Sequence, residues 1–151
     1  MPALGERVAV VDASLAAKCA IPEPWSDLAL ALATRLAKQR TRLVAPGLIL
    51  PEVANAVYKR ILRGEIDLAT AREAIRIVLR FGIEIREEPG VPSRALELAH
   101  DLKRPTVDDC YYLALAELYH CEVWTGDQRL YNAVRERLPW VNWIGAYTSS
   151  V

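Results

Sequence analysis

Four or five short apolar runs, alternating with longer stretches of helical periodicity, constrain this chain more than any other feature of its sequence. The run from Val8 to Val11 has the look of a buried strand and stops abruptly at Asp12. A second run, Arg42 to Ala45, is broken by Pro46 and Gly47. A third, Ile83 to Arg86, follows Gly82 and alternates apolar with polar residues, as a half-exposed strand does. Glu122 to Thr125 is the fourth, and Val141 to Ile144 supplies a fifth at an edge. Helices are predicted over 13–21, 25–38, 48–62, 67–80, 92–102, 108–120 and 128–138. Their inward residues follow helical spacing: Leu28, Leu32 and Leu36 in the second, and Leu68, Ala71, Ile75 and Leu79 in the fourth. Gly64 is placed to end the third helix. Strands separated by helices need crossover connections, which give a largely parallel sheet covered on both faces. The expected fold is a three-layer α/β/α domain of the α/β class.

The chain has 151 residues, a length that suits one domain over 1–151 with one core. With 52% hydrophobic and 25% charged residues it reads as a globular protein, and no repeat or linker divides it. Its 19 basic and 19 acidic side chains cancel, so overall charge argues neither for nor against a nucleic-acid partner. The three cysteines, Cys19, Cys110 and Cys121, are scattered and lack the spacing of a zinc site or a disulfide framework. No segment has the length and apolarity of a membrane span, and the first residues lack the basic start of a signal peptide. The expectation is a cytoplasmic protein with no membrane association.

Topology then gives four acids a meaning. A right-handed crossover puts the C-terminal end of a strand and the N-terminal end of the next helix on one edge of the sheet. Ligands of open α/β sheets bind in the crevice along that edge. Asp12 ends the first strand, Glu52 lies in the first turn of the third helix, Asp109 opens the sixth, and Asp127 follows the fourth strand. All four are therefore expected at one edge. Singly, each has a plain explanation as a helix cap or as a partner for a helix dipole. Together they repel one another, which raises carboxyl pKa values. No lysine or arginine stands at matching positions to neutralise all four. A bound cation resolves the conflict, and a carboxylate-and-water site suits Mg²⁺ or Mn²⁺. Such ions hold a phosphodiester and activate water, so neither a histidine nor a cysteine nucleophile is needed. His100 and His120 fall away from this edge. A phosphotransfer domain would need a second acid close to Asp12, and Ser14 stands at that spacing instead.

Four stretches carry a family resemblance. VVDASLAAKC (10–19) resembles the opening strand and helix of PIN-domain ribonucleases, PEVANAVYKR (51–60) their second acidic motif, TVDDCYYLALAE (106–117) the third, and VWTGDQRL (123–130) the closing Thr–x–Asp motif. They occur in the family's order and span most of the chain. With no extra domain present, the chain resembles the toxin of a VapBC-type toxin–antitoxin pair. The resemblance implies sheet order 3-2-1-4-5, with Asp12 and Asp127 beside the switch point. It also implies Mg²⁺- or Mn²⁺-dependent endonucleolytic cleavage of RNA, a homodimer, and a small VapB-like antitoxin as inhibitor. Asp12, Glu52, Asp109 and Asp127 become the catalytic and metal-site acids, with Asp12 and Asp109 the direct ligands. Ser14 and Thr125 match small hydroxyl positions that support metal or phosphate, and Asn55 is placed to orient Glu52 or touch substrate. The third motif carries Asp108 and Asp109 together. Asp109 sets the register to the helix that follows, leaving Asp108 as an N-cap.

Lys103, Arg104 and Arg129 lie near the expected crevice and are candidates for RNA phosphate contact. Arg72, Arg76 and Arg80 form a stripe that the nearby Glu73 turns into a solvated face. Trp25, Trp140 and Trp143 are candidates for a dimer or antitoxin surface, while Trp124 belongs in the core. The competing readings are a PIN nuclease of RNA maturation without an antitoxin, and a non-catalytic PIN scaffold that binds RNA or protein.

Overall fold

The computed structural model describes residues 2–148. Five strands form one sheet: β1 (Val8–Val11), β2 (Arg42–Ala45), β3 (Glu84–Ile85), β4 (Glu122–Thr125) and β5 (Val141–Trp143). Their order is β3-β2-β1-β4-β5, and every pairing is parallel. β1 is central because it is the most apolar run, and Ala9, Val10 and Val11 are all buried. Its register pairs Val10 with Val44 on one side and with Val123 on the other. The chain leaves β1 toward β2 in one direction and reaches β4 in the other, so the switch point lies between β1 and β4.

Seven helices are present among the described residues: α1 (Ala13–Ala20), α2 (Ser26–Lys38), α3 (Ile49–Leu62), α4 (Leu68–Arg80), α5 (Val91–Asp101), α6 (Asp108–Tyr119) and α7 (Gln128–Val134). α1 packs on α2, α3 and α4, whereas α5 packs on α6 and α6 on β1 and β4. Their ends follow local chemistry. Asp12, Asp67 and Asp127 cap α1, α4 and α7 with their side chains. Gly64, at φ 73°, closes α3 as expected: its N–H donates to the Ile61 carbonyl and that of Glu65 to Arg60. α6 is buried on nearly every side, from Cys110 through Tyr112 and Leu113–Ala116 to Tyr119, which accounts for its continuous apolar sequence. No helix among the described residues is long and apolar enough to cross a membrane.

Three expectations change. In α4 the buried residues are Ala71, Ala74 and Val78, while Leu68 and Leu79 are 64% and 60% exposed. α4 packs on α1 and α3, and a face of small residues permits that close approach, which a leucine face would not. The third strand shrinks to Glu84–Ile85, with Arg86 still donating its N–H to the Ala45 carbonyl. The last helix ends at Val134, after which the chain runs through a turn in which the Arg137 and Leu138 N–H groups both donate to the Val134 carbonyl. The helices predicted over 13–21, 25–38, 48–62, 67–80, 92–102 and 108–120 are otherwise present to within a residue at each end.

Candidate active site

Asp12 stands where β1 stops, and its N–H donates to the Trp124 carbonyl at 3.2 Å, tying it to β4. Its carboxylate is buried at 5% exposure and fully engaged. Oδ1 accepts from the Ser14 hydroxyl at 2.7 Å and from the Leu15 N–H at 3.0 Å. Oδ2 accepts a short bond from the Thr125 hydroxyl. Ser14 also accepts from the Gly126 N–H at 2.9 Å, and Thr125 from the Asp127 N–H at 2.9 Å. The two hydroxyls thus stitch the end of β1 to the end of β4. Asp127, at the start of α7, accepts from the N–H groups of Arg129 and Leu130 through Oδ1. Capping and site formation coexist in Asp12 and Asp127.

Glu52 and Asp109 arrive from the first turns of α3 and α6. Together the four carboxylates line one cavity of about 190 Å³, with Ala13, Ser14, Ala56 and Tyr112 completing its wall. Burial is the main cause that raises the carboxyl pKa of Asp12, against the bonds from Thr125, Ser14 and Leu15, and the charge of Asp109 adds to it. Burial likewise raises Glu52, with the charges of Asp109, Asp12 and Asp108 working in the same direction. Asp109 is raised by burial and then by Asp127, against the pull of Arg104. The acids therefore feel one another as the crowding argument requires.

Sequence reasoning missed three residues. The Tyr112 hydroxyl donates to Glu52 Oε1 at 2.6 Å, so Tyr112 orients that carboxylate, and Asn55 is exposed with no place on the cavity wall. The available signal was spacing: Tyr112 lies three residues after Asp109 and shares its helix face. Gly126 is the second. A Cβ there would meet Ser14 carbonyl atoms at 3.0 Å and Lys18 Cε at 2.7 Å, so only glycine lets the β4–α7 turn close onto α1. Lys18 is the third; it crosses this turn and pairs with Glu23 at 3.2 Å. Asp108 is not the N-cap of α6. Val107 holds that position with helical backbone, so the chain enters the helix without the extended residue a side-chain cap needs, and Asp108 stays exposed. Arg104 turns inward to Asp109 at 3.4 Å, whereas Lys103 and Arg129 are exposed.

The PIN domain family model matches residues 9–136, which includes all four acids and runs from Ala9 in β1 through β4. The chain belongs to the PIN domain family. This PIN domain is also similar in fold to the crystal structure of PAE2754 from Pyrobaculum aerophilum, with a TM-score of 0.62 and 21% identity over 93% of this chain and 92% of that chain. No curated protein matches the sequence. PIN domains are a nuclease superfamily that generally uses divalent metal.

The residues of this PIN domain suit such an ion in kind. The donors are all carboxylate or hydroxyl oxygens, the set preferred by Mg²⁺ and Mn²⁺. Among the described residues no three acids, histidines or cysteines are gathered tightly enough to form a finished ligand cage. Mg²⁺ keeps several waters and takes one or two carboxylates, so a cavity lined with acids meets its needs better than a closed cage.

Proposed function

We propose that this PIN domain is a divalent-metal-dependent endoribonuclease that hydrolyses RNA phosphodiester bonds. One observation carries the reading: acids from four separate segments, Asp12, Glu52, Asp109 and Asp127, line a single cavity at the switch point of the sheet. Asp12 and Asp109 are the direct ligands of Mg²⁺ or Mn²⁺, and Glu52 and Asp127 act beside them. Once bound, the ion supplies a lowered pKa for water and charge neutralisation at the phosphate. The chain's own groups do the remainder. Ser14 and Thr125 fix the Asp12 carboxylate, and Tyr112 holds Glu52 toward the cavity. Arg104 offsets part of the negative charge at Asp109, easing the approach of a polyanion.

The test is RNA cleavage with Mg²⁺, Mn²⁺ or EDTA, comparing wild type with Asp12→Asn and Asp109→Asn. Outer-shell partners of metal sites typically cost about 10–100-fold when removed. Each of these acids is expected to cost at least that, and EDTA to abolish cleavage. Cleavage persisting in both variants would overturn the assignment.

The resemblance to VapBC toxins supports a narrower reading, in which the enzyme is a cytoplasmic homodimer restrained by a small VapB-like antitoxin. Wild type should then arrest growth when expressed alone, with Asp12→Asn harmless and co-expression of a neighbouring small protein restoring growth. A wild type that leaves growth unaffected would favour the role in RNA maturation.

A further inference from the structure

A charged bridge lies at the far end of the interface between α1 and α3. Glu23 Oε1 accepts from Lys18 Nζ at 3.2 Å, and Oε2 from Arg60 Nη1 at 2.9 Å. Lys18 belongs to α1 and Arg60 to α3, so one carboxylate ties the two helices. All three side chains are mostly covered, at 12%, 22% and 18% exposure for Lys18, Glu23 and Arg60. The loop that presents Glu23 is stiff. Pro22 and Pro24 flank it, each with a φ fixed by its ring. The Glu23 N–H donates to Ser26 Oγ at 2.9 Å, and that hydroxyl donates to the Ile21 carbonyl at 3.1 Å. Arg60 reaches the same loop at the Pro22 carbonyl, 3.4 Å away.

Both cations share a helix face with residues of the acidic cavity. Lys18 lies one turn after Ser14, and Arg60 two turns after Glu52, with Ala56 between. Ser14, Glu52 and Ala56 all line that cavity. At 1.5 Å per residue, Arg60 stands about 12 Å along the axis from Glu52. The Lys18 stem also runs beside Gly126, the residue between Thr125 and Asp127. Glu23 is therefore tied to three of the segments that carry the acids, through α1, α3 and the β4–α7 turn, yet has no place on the cavity wall. The cluster does not suit an anion: Glu65 also pairs with Arg60, so two acids meet two cations.

We infer that Glu23 is a positioning residue, whose bridge to Lys18 and Arg60 fixes where α1, α3 and the β4–α7 turn place Asp12, Glu52 and Asp127 around the cavity. Its consequence for ion affinity rests on the metal-dependent nuclease reading, while the placement itself is a property of the metal-free chain. Packing alone does not set it. Ile49, Val53 and Val57 bury one face of α3, but apolar burial has no direction and lets a helix slide or roll. Charge-assisted hydrogen bonds from two helices to one carboxylate oppose both movements. A covered ion bridge adds little net stability against its desolvation cost, so geometry is what it contributes.

The test compares wild type with Glu23→Gln, Arg60→Lys and Ser26→Ala. Arg60→Lys keeps every charge but loses the planar fork that reaches Glu23. Ser26→Ala also keeps every charge and frees the loop that presents Glu23. It carries the test if Glu23→Gln does not fold, which thermal melting checks. Hydrogen exchange in EDTA is expected to quicken several-fold at residues 49–56 and 125–128 in each variant, with α5 unchanged. Calorimetric titration with Mn²⁺ should show a Kd raised by about tenfold or more, the range for partners that orient metal ligands. Faster exchange confined to 18–26 and 57–65, or an unchanged Mn²⁺ Kd in folded Arg60→Lys, overturns the proposal. An effect in Glu23→Gln alone also overturns it, since only the field of one lost charge would then be acting. A wild type that neither takes up Mn²⁺ nor cleaves RNA, with variants that still show the expected exchange pattern, removes the nuclease and keeps the bridge.

Discussion

Both oxygens of Asp12 are taken by donors, from Ser14, Leu15 and Thr125, whereas Glu52 accepts a single hydroxyl, that of Tyr112. This difference yields a prediction. Tyr112→Phe removes the bond to Glu52 without changing the shape of a fully buried ring. The expected cost in stability is about 1 kcal/mol, since half-buried Glu52 recovers water. The larger effect should fall on function, as a several-fold rise in the Mn²⁺ concentration needed for half-maximal cleavage. Unchanged metal dependence would show that Tyr112 serves packing alone. The placement of the acids was legible because each sits at the end of a strand or the start of a helix, positions that sequence reveals. Their partners were not. Tyr112 lies 60 residues from Glu52, and Thr125 lies 113 from Asp12, so no local pattern announces either bond. Asn55, one turn after Glu52, drew attention because local spacing was the only guide available.

At the level of elements, β3 shows how a short edge strand is held. Glu84 accepts from Arg42 Nε at 3.0 Å and its terminal nitrogen at 2.6 Å, while Arg86 adds another bond at 2.6 Å. These bonds, led by Arg42, pull the Glu84 carboxyl down to about 2. A depressed carboxyl pKa contributes stability that is present above its unfolded value and is lost as pH falls through the folded one. The contribution of Glu84 should therefore be intact at neutral pH and disappear between about 4.5 and about 2. Glu84→Gln is expected to lower the urea midpoint modestly at neutral pH, because the pair is about one-third exposed and screened. At the acid end of that window the difference from wild type should vanish. The strands were readable wherever apolar runs were bounded by turn residues. In α4 the expected inward stripe of Leu68, Ala71, Ile75 and Leu79 holds at Ala71 and in part at Ile75, but burial turns toward Ala74 and Val78, which fit against α1 and α3, and leaves both leucines exposed. Loop-borne helix starts, such as Val107 before α6, depend on backbone angles that composition does not encode.

For the molecule as a whole, metal and folding should be linked. An ion that binds only the folded state adds about 2.7 kcal/mol at a hundredfold excess over its Kd. At roughly 2–4 °C per kcal/mol for a chain of this size, Mn²⁺ should raise Tm by about 5–10 °C. EDTA should reverse the rise, and Asp109→Asn should show little of it. An equal rise in that variant would mean the ion binds elsewhere. The order of the sheet carries one more consequence, for a chain still being made. One of the two strands that flank β1, β4, is made well after it, bringing Thr125, 113 residues beyond Asp12, and then Asp127. Until then Asp12 lacks both its hydroxyl clasp and its neighbouring acid. A chain whose synthesis stops between Asp12 and Thr125 thus lacks the assembled cavity, and the four acids come together only once β4 and the start of α7 have been made.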